Sequence, residues 1–360
     1  MNLLKDFKNP VLARKLSAAI AETVGDRPFS IMEVCGGQTH TIYKYRLREM
    51  LPPNLRLVSG PGCPVCVTPI EYIDKAVFLA LEKGASIYTF GDLVRVPGTM
   101  MSLEKAQAEG ADVQPVYSPF QSLQAAKANP ERHVVFLGIG FETTLPGVGL
   151  VIREAQRSGV ENFSVLLSAK RVPPVLDALL SSGKAEIDGF ITPGHVTSII
   201  GTKAYDALCE TYRVPMVVGG FEPLDLLGAV HLLAGELAGG GTRNLNAYSR
   251  ASSKEGNVKA QQVMEEVFEE KDDELRGLGV IPKAGYGIRE SFAEFDADRR
   301  FDIVTNSREP KGCICGEILC GIKAPEDCPL FGAICTPDAP VGSCMVSNEG
   351  ACNAAYLFRD

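Results

Sequence analysis

Seven of the eleven cysteines in this 360-residue chain fall within its last 48 residues: Cys313, Cys315, Cys320, Cys328, Cys335, Cys344 and Cys352. The stretch around them is rich in Gly and Pro and short of apolar residues, so it cannot build an ordinary hydrophobic core and needs a bound centre to hold it. The chain opens MNLLKDFKNP, charged within five residues and without an apolar run. No secretory leader is therefore expected, and a cytoplasmic location follows. In that reducing compartment a disulfide framework does not persist, which leaves metal or redox chemistry for thiols at this density. The spacing is C-x-C-x4-C-x7-C-x6-C-x8-C-x7-C, with no CxxC knuckle and no histidine beyond His231. Zinc ribbons use paired CxxC knuckles, so the irregular all-cysteine pattern favours an iron–sulfur cluster over structural zinc or free thiols. Four ligands leave three thiols over, available for redox work.

The rest of the chain is ordinary globular protein, 45% hydrophobic and 22% charged. No run approaches 18 apolar residues, so no transmembrane helix is expected. The net charge of −8 argues against nucleic acid or an anionic membrane as partner. Residues 5 to about 24 read as a helix. Short apolar runs at 30–34, 55–59, 86–90, 113–117, 133–139, 163–168, 187–192 and 214–218 then alternate with amphipathic stretches, the rhythm of parallel strands with crossover helices. Cys35-Gly-Gly matches Gly138-Ile-Gly, Thr89-Phe-Gly matches Thr192-Pro-Gly, and PFQSLQAA matches GFEPLDLL, each at a spacing of roughly one hundred residues. The expected architecture is α/β, with two similar Rossmann-like parallel-sheet domains facing across a cleft, plus a Cys-rich iron–sulfur domain. The expected boundaries are 1–28 for an N-terminal helix packing on the C-terminal unit, 29–129 and 130–238 for the two α/β domains, and 239–360 for the cluster domain. Within the last, a helix is expected over 258–270.

Three groups of residues carry the candidate chemistry. Cys63-Pro-Val-Cys66 lies at a strand-to-helix turn, and Thr68-Pro-Ile-Glu71 reads as a capping box. A helix N-terminus two residues beyond Cys66 would lower its thiol pKa, making the pair redox-active; half of a zinc site is the alternative. In EVCGGQTH, Cys35 ends the first strand, glycines allow close backbone approach, and His40 follows. A buried core cysteine is the bland alternative there. It is the preferred reading for Cys209, which sits on an amphipathic helix. Asp92, Glu142 and His195, with Glu222, stand at the ends of other expected strands; each alone would be a cap, and together they suggest a shared cleft. GIGFETT lacks the full dinucleotide fingerprint, so no Rossmann cofactor is expected.

The motifs CGGQTH, SGPGCPVCVTP, TFGDLVRVPG, GFETT, PGHV and CPLFGAICTP…GSCMVSNEGAC closely resemble the HypD family of hydrogenase maturation factors, over roughly residues 30 to 356. The resemblance implies a scaffold on which the Fe(CN)2CO unit of [NiFe]-hydrogenase is assembled, with the chaperone HypC and the cyanide donor HypE as partners. It implies Cys35 as a thiolate holding that iron unit, and Cys63 and Cys66 as a redox pair beside it. It further implies one [4Fe-4S] cluster on Cys313, Cys328, Cys335 and Cys352, with Cys315 and Cys344 as a second thiol pair. Cys320 falls outside the family pattern. Such a protein assembles a cofactor and has redox activity without being a conventional turnover enzyme. A stand-alone disulfide oxidoreductase resembling ferredoxin:thioredoxin reductase is the competing reading; it has no need of Cys35.

Overall fold

The computed structural model describes residues 7–184 and 186–359. The strands are β1 (Phe29–Glu33), β2 (Leu55–Ser59), β3 (Ser86–Thr89), β4 (Val113–Pro115), β5 (Val134–Gly140), β6 (Phe163–Ala169), β7 (Gly189–Pro193), β8 (Met216–Gly219), β9 (Asn244–Asn246), β10 (Phe268–Leu275) and β11 (Gly279–Ile288). The eight expected strands are all present. In VVFLGIG and FSVLLSA every residue of β5 and β6 is buried, as for strands covered on both faces by helices. β2, at a sheet edge, alternates buried and open positions instead.

Two parallel sheets result, ordered β2-β1-β7-β8-β9 and β4-β3-β5-β6. Read from its other edge, the second sheet runs β6-β5-β3-β4. Each of its strands is then the repeat partner of the strand at the same place in the first sheet: β6 of β2, β5 of β1, β3 of β7, β4 of β8. The two halves of the repeat have therefore exchanged strand pairs, and the expected boundary at 130 does not separate the sheets. After β2 the helix Ile70–Leu81 carries the chain into the second sheet, and after β6 the helix Val172–Ser182 carries it back.

The other boundaries also shift. The helix Pro10–Val24 is fixed by Asn9, whose side chain accepts the N–H groups of Val11 and Leu12, and by Pro10 in its first turn. The expected start at residue 5 lies outside the described residues. This helix packs on the helix Pro223–Gly239 and shares a core with β1, β2, β7 and β8, not with the cysteine-rich tail; from the expected C-terminal unit only the β9 region, Leu245 and Ala247, joins that core. Beyond residue 239, β9 extends the first sheet and the helix Val258–Val267 packs on the helix Leu145–Arg157. That helix ends earlier than expected because Phe268 already begins the antiparallel hairpin β10–β11. Only the stretch beyond about residue 301 is the cysteine-rich tail, and it has no separate core: Cys315, Cys335, Cys344 and Cys352 are buried among Met32, Val34, Ile73 and Ile87. No helix among the described residues is long and apolar enough to cross a membrane.

A cut at residue 130 leaves strands of both sheets in each fragment. Fragments 1–129 and 130–360 made separately should therefore lack a cooperative thermal transition by circular dichroism, and refolding them together should restore it. A cooperative transition in either fragment alone would contradict the exchanged sheets.

Candidate metal and thiol site

The site begins where β1 stops. Val34 and Cys35 lead into the helix Gly36–Lys44, and the Cys35 carbonyl accepts the N–H groups of Gln38 and Thr39 at 2.9 and 3.0 Å. Beneath this turn lies Glu33, fully buried, which accepts the Cys35 N–H (3.1 Å) and the Thr39 hydroxyl (2.5 Å). Three glycines fit the turn to its surroundings. A Cβ on Gly62 would collide with the Val34–Cys35 backbone, one on Gly36 would lie 2.5 Å from Cβ of Glu349, and one on Gly37 3.3 Å from the Phe221 ring. Loops at the ends of β1 and β2 are thus locked together, and Gly36 N–H donates to Gly62 O at 3.2 Å.

The Cys35 sulfur is buried, 3.7 Å from Nδ1 of His195, which follows the end of β7. Desolvation, and after it the carboxylate of Glu349, push the Cys35 thiol far up. Desolvation also pushes His195 down to about 4. At neutral pH the pair is a neutral thiol beside a neutral imidazole, a donor set that binds a soft metal by releasing the thiol proton.

The other expected cleft residues reach this region by different routes. Glu142 stands two residues beyond β5, as Cys35 stands two beyond β1. In the sheet register Gly138 remains the counterpart of Cys35, and it lies inside β5 because that strand runs longer than β1. One Glu142 oxygen accepts the Val172 N–H at 2.9 Å, and the other is buried with no partner among the described residues. The buried Tyr205 hydroxyl, 3.2 Å from that of Thr197, feels the Glu142 carboxylate and the Cys35 sulfur, which ties the two positions together. His40 and Asp92 do not face the sulfur through any bond of their own. Asp92 accepts from the Ser347 hydroxyl at 2.6 Å, and Nδ1 of His40 lies 3.2 Å from Asn348 O. The tail residues Ser347, Asn348 and Glu349 thereby bridge the ends of both sheets. Sequence reading passed over Glu33 and Glu349; a lone carboxylate inside the apolar strand SIME, and the polar SNEG run between two cysteines, were the available signals. Glu222 instead caps the helix Pro223–Gly239 and pairs with Lys8.

A second cluster is made of sulfur. Cys63 begins the four-residue helix Pro64–Val67, and Cys66 lies inside it, fully buried. The expected capping box is absent: the Thr68 hydroxyl donates to Pro64 O at 2.7 Å, closing this short helix instead of opening the next. Cys66 accordingly loses the helix N-terminus that was to acidify it. Its sulfur meets those of Cys344 and Cys63, and these contacts with burial push the thiol up, opposite to expectation. Cys344 is the thiol held low, by Cys315 first and then Cys352 and Cys66. Cys313 and Cys315 sulfurs lie 3.1 Å apart. The thiols expected as separate pairs thus form one continuous group from Cys63 through Cys66 and Cys344 to Cys315, Cys352 and Cys313. Cys209 is a core residue of its helix, and Cys320 stands apart, with Lys184 as its charged neighbour.

The tail fits a thiolate-bound cluster in chemistry. Cys335 Sγ accepts the Val341 N–H at 3.3 Å, as cluster sulfurs do. Gly342 forms a cradle whose missing Cβ would lie 2.6 and 2.7 Å from the Cys313 and Cys315 sulfurs. Cys328, half-buried, closes the side near Gly312 O. Among the described residues no His, Cys, Asp and Glu group is arranged for a single metal ion.

Comparison with known proteins gives one family. The family model HypD, described as "Hydrogenase formation hypA family", matches residues 11–359. A hydrogenase maturation factor HypD of Azotobacter vinelandii is 47% identical, with 99% of this chain and 97% of the relative aligned. Relatives of the same name are 45% identical in Cupriavidus necator (99% and 97% covered) and 41% in Rhodobacter capsulatus (99% and 98%).

Burial pushes the carboxyls of Glu33 and Glu142 up to about 7. A carboxyl whose folded pKa is raised stabilises the fold most below its unfolded pKa and loses that stabilisation as pH rises through the folded value. The lowered histidines, His133 and His195, act in the opposite sense, so the difference between wild type and Glu142→Gln isolates one group. Wild-type stability relative to the variant should fall by on the order of 3 kcal/mol between pH 4.5 and 7.5 in urea titrations. A difference independent of pH would refute this environment for Glu142.

Proposed function

This chain belongs to the HypD hydrogenase-formation family, and we propose that it acts in hydrogenase maturation as the scaffold on which the Fe(CN)2CO unit is built, with Cys35 as its protein thiolate. The observation that carries this reading is the buried Cys35 sulfur at the end of β1, on a turn packed tightly at three glycines and 3.7 Å from His195. A soft thiolate suits iron bearing cyanide and carbonyl. In this reading HypC is the partner chain and HypE the source of cyanide. Glu33 orients the Cys35 turn through its backbone N–H, and His195 lies within reach to hydrogen-bond the sulfur or its ligands. Desolvation within the cleft keeps water from the iron unit.

Cys313, Cys328, Cys335 and Cys352 would hold one [4Fe-4S] cluster, which when bound supplies electrons one at a time. Cys63, Cys66, Cys344 and Cys315 would carry redox equivalents by thiol–disulfide exchange, each dithiol yielding two electrons and two protons on forming a disulfide. The contacts among these sulfurs support that assignment.

The test is infrared spectroscopy of the protein purified anaerobically with its small partner. Cyanide and carbonyl stretches are expected, and their absence from iron-loaded protein would sink the scaffold reading. Cys35→Ser should abolish those bands and lower hydrogenase maturation by more than roughly 100-fold, since a ligand matters more than its supports. Iron and sulfide in the tail should stay at wild-type level in that variant. Cys352→Ala should show the converse, loss of iron and sulfide with a less stable tail. Stoichiometric zinc without sulfide in the wild type would rule out the cluster.

A further inference from the structure

The contact that joins His195 to Cys35 is long, 3.7 Å from Nδ1 to the sulfur, and a small displacement of the ring would end it. The two residues stand on different elements. Cys35 precedes the helix Gly36–Lys44, and His195 opens the short helix Gly194–Ile200 after β7. Packing therefore sets their separation, and the ring that touches both elements is Phe221. Its centroid lies 5.2 Å from that of His195, with the planes tilted by 55°. It also abuts Gly37, where a Cβ would come within 3.3 Å of ring carbon Cδ1. The turn that carries this ring, at the end of β8, is fastened to the Cys35 helix. Nε2 of Gln38, fully buried, donates to Gly219 O at 3.0 Å and to Gly220 O at 3.3 Å. The Thr41 hydroxyl, one turn further along the helix, donates to Phe221 O at 2.8 Å. The Phe221 N–H is held as well, by Asp225 Oδ2 at 3.2 Å.

We propose that Phe221 is a positioning residue, a brace linking the Cys35 helix to the His195 ring that keeps Nδ1 turned to the sulfur. The inference rests on the reading of Cys35 as the thiolate of the iron unit. The backbone of Phe221 is tied to the Cys35 helix and its ring leans on the imidazole, so His195 stays aligned with Cys35 as close packing transmits any shift. A neutral imidazole whose Nδ1 is held against one partner takes one tautomer, and the tautomer decides whether it donates or accepts there. Phe221 thus acts through His195 and not on the sulfur itself. Its side chain needs no polar group for this; it needs a rigid, flat ring of the right size.

The experiment reads the imidazole directly, by nuclear magnetic resonance of full-length, metal-free protein carrying isotope-labelled histidine. The His195 signal is the one missing from His195→Ala. At about pH 8 the wild type should show one His195 tautomer in about tenfold excess, and Phe221→Leu should cut that ratio by about threefold or more. Gly37→Ala should press its new Cβ on the ring and shift the His195 signals, and in the Phe221→Leu background it should shift them no further. In protein carrying the iron unit, Phe221→Leu and His195→Ala should move the cyanide and carbonyl stretches in the same direction, the double variant no further than His195→Ala alone. A Phe221→Leu protein that melts like wild type and keeps its tautomer ratio would overturn the proposal while leaving the iron reading intact. If that variant does not fold, Gly37→Ala decides, and unmoved His195 signals overturn the proposal. Wild-type protein that takes up iron yet shows no cyanide or carbonyl stretch overturns the scaffold reading and the role given to the brace, even where the imidazole ratio still responds to Phe221.

Discussion

Everything in this molecule depends on the crossing of chain between two parallel sheets. Parallel neighbours must be joined by a crossover, and a crossover normally returns to its own sheet. Here those after β2 and β6 lead into the other sheet. Each sheet is therefore completed only by strands from the other half of the repeat. All the strand ends that carry polar groups, those of β1, β3, β5 and β7, are thereby tied to one shared arrangement. The two lobes are bound to each other by covalent crossings rather than by surface contact alone.

Desolvation governs the chemistry of the site. The same burial raises two carboxyls, raises the Cys35 thiol and depresses His195. Each shift favours the neutral form. Burial thus biases these groups toward their uncharged forms, in keeping with the apolar packing around them. Among the sulfurs, contacts with neighbouring thiols and then burial push Cys66 and Cys352 up, whereas Cys344 is held low by Cys315, Cys352 and Cys66.

The sequence made the strands legible because parallel strands buried on both faces are written as continuous apolar runs with Gly-rich ends. The family was legible because its motifs are long. Partition into domains was not legible: a repeat in sequence specifies which strands are equivalent, not which pair. The capping box at Thr68 failed because a hydroxyl can serve only one of two adjacent helix ends, and four residues of Pro-Val-Cys-Val took it. The hairpin β10–β11 escaped notice because FEEKDDEL is mostly exposed and lacks alternation. Glu33 and Glu349 were invisible for a shared reason. Their significance lies in being buried or wedged between segments far apart in the chain, and composition carries no record of that.

The bridge of Ser347, Asn348 and Glu349 has a consequence for the time course of synthesis. Its partners, His40 and Asp92, lie 308 and 255 residues earlier in the chain. Contacts of such separation close only after the intervening loops have been ordered. The bridge follows the last strand, β11, in the chain, so the strands can pair while one wall beside Cys35 is still unmade. Glu349 closes that wall against Gly36, and until it arrives the turn that bears the sulfur is open on that side.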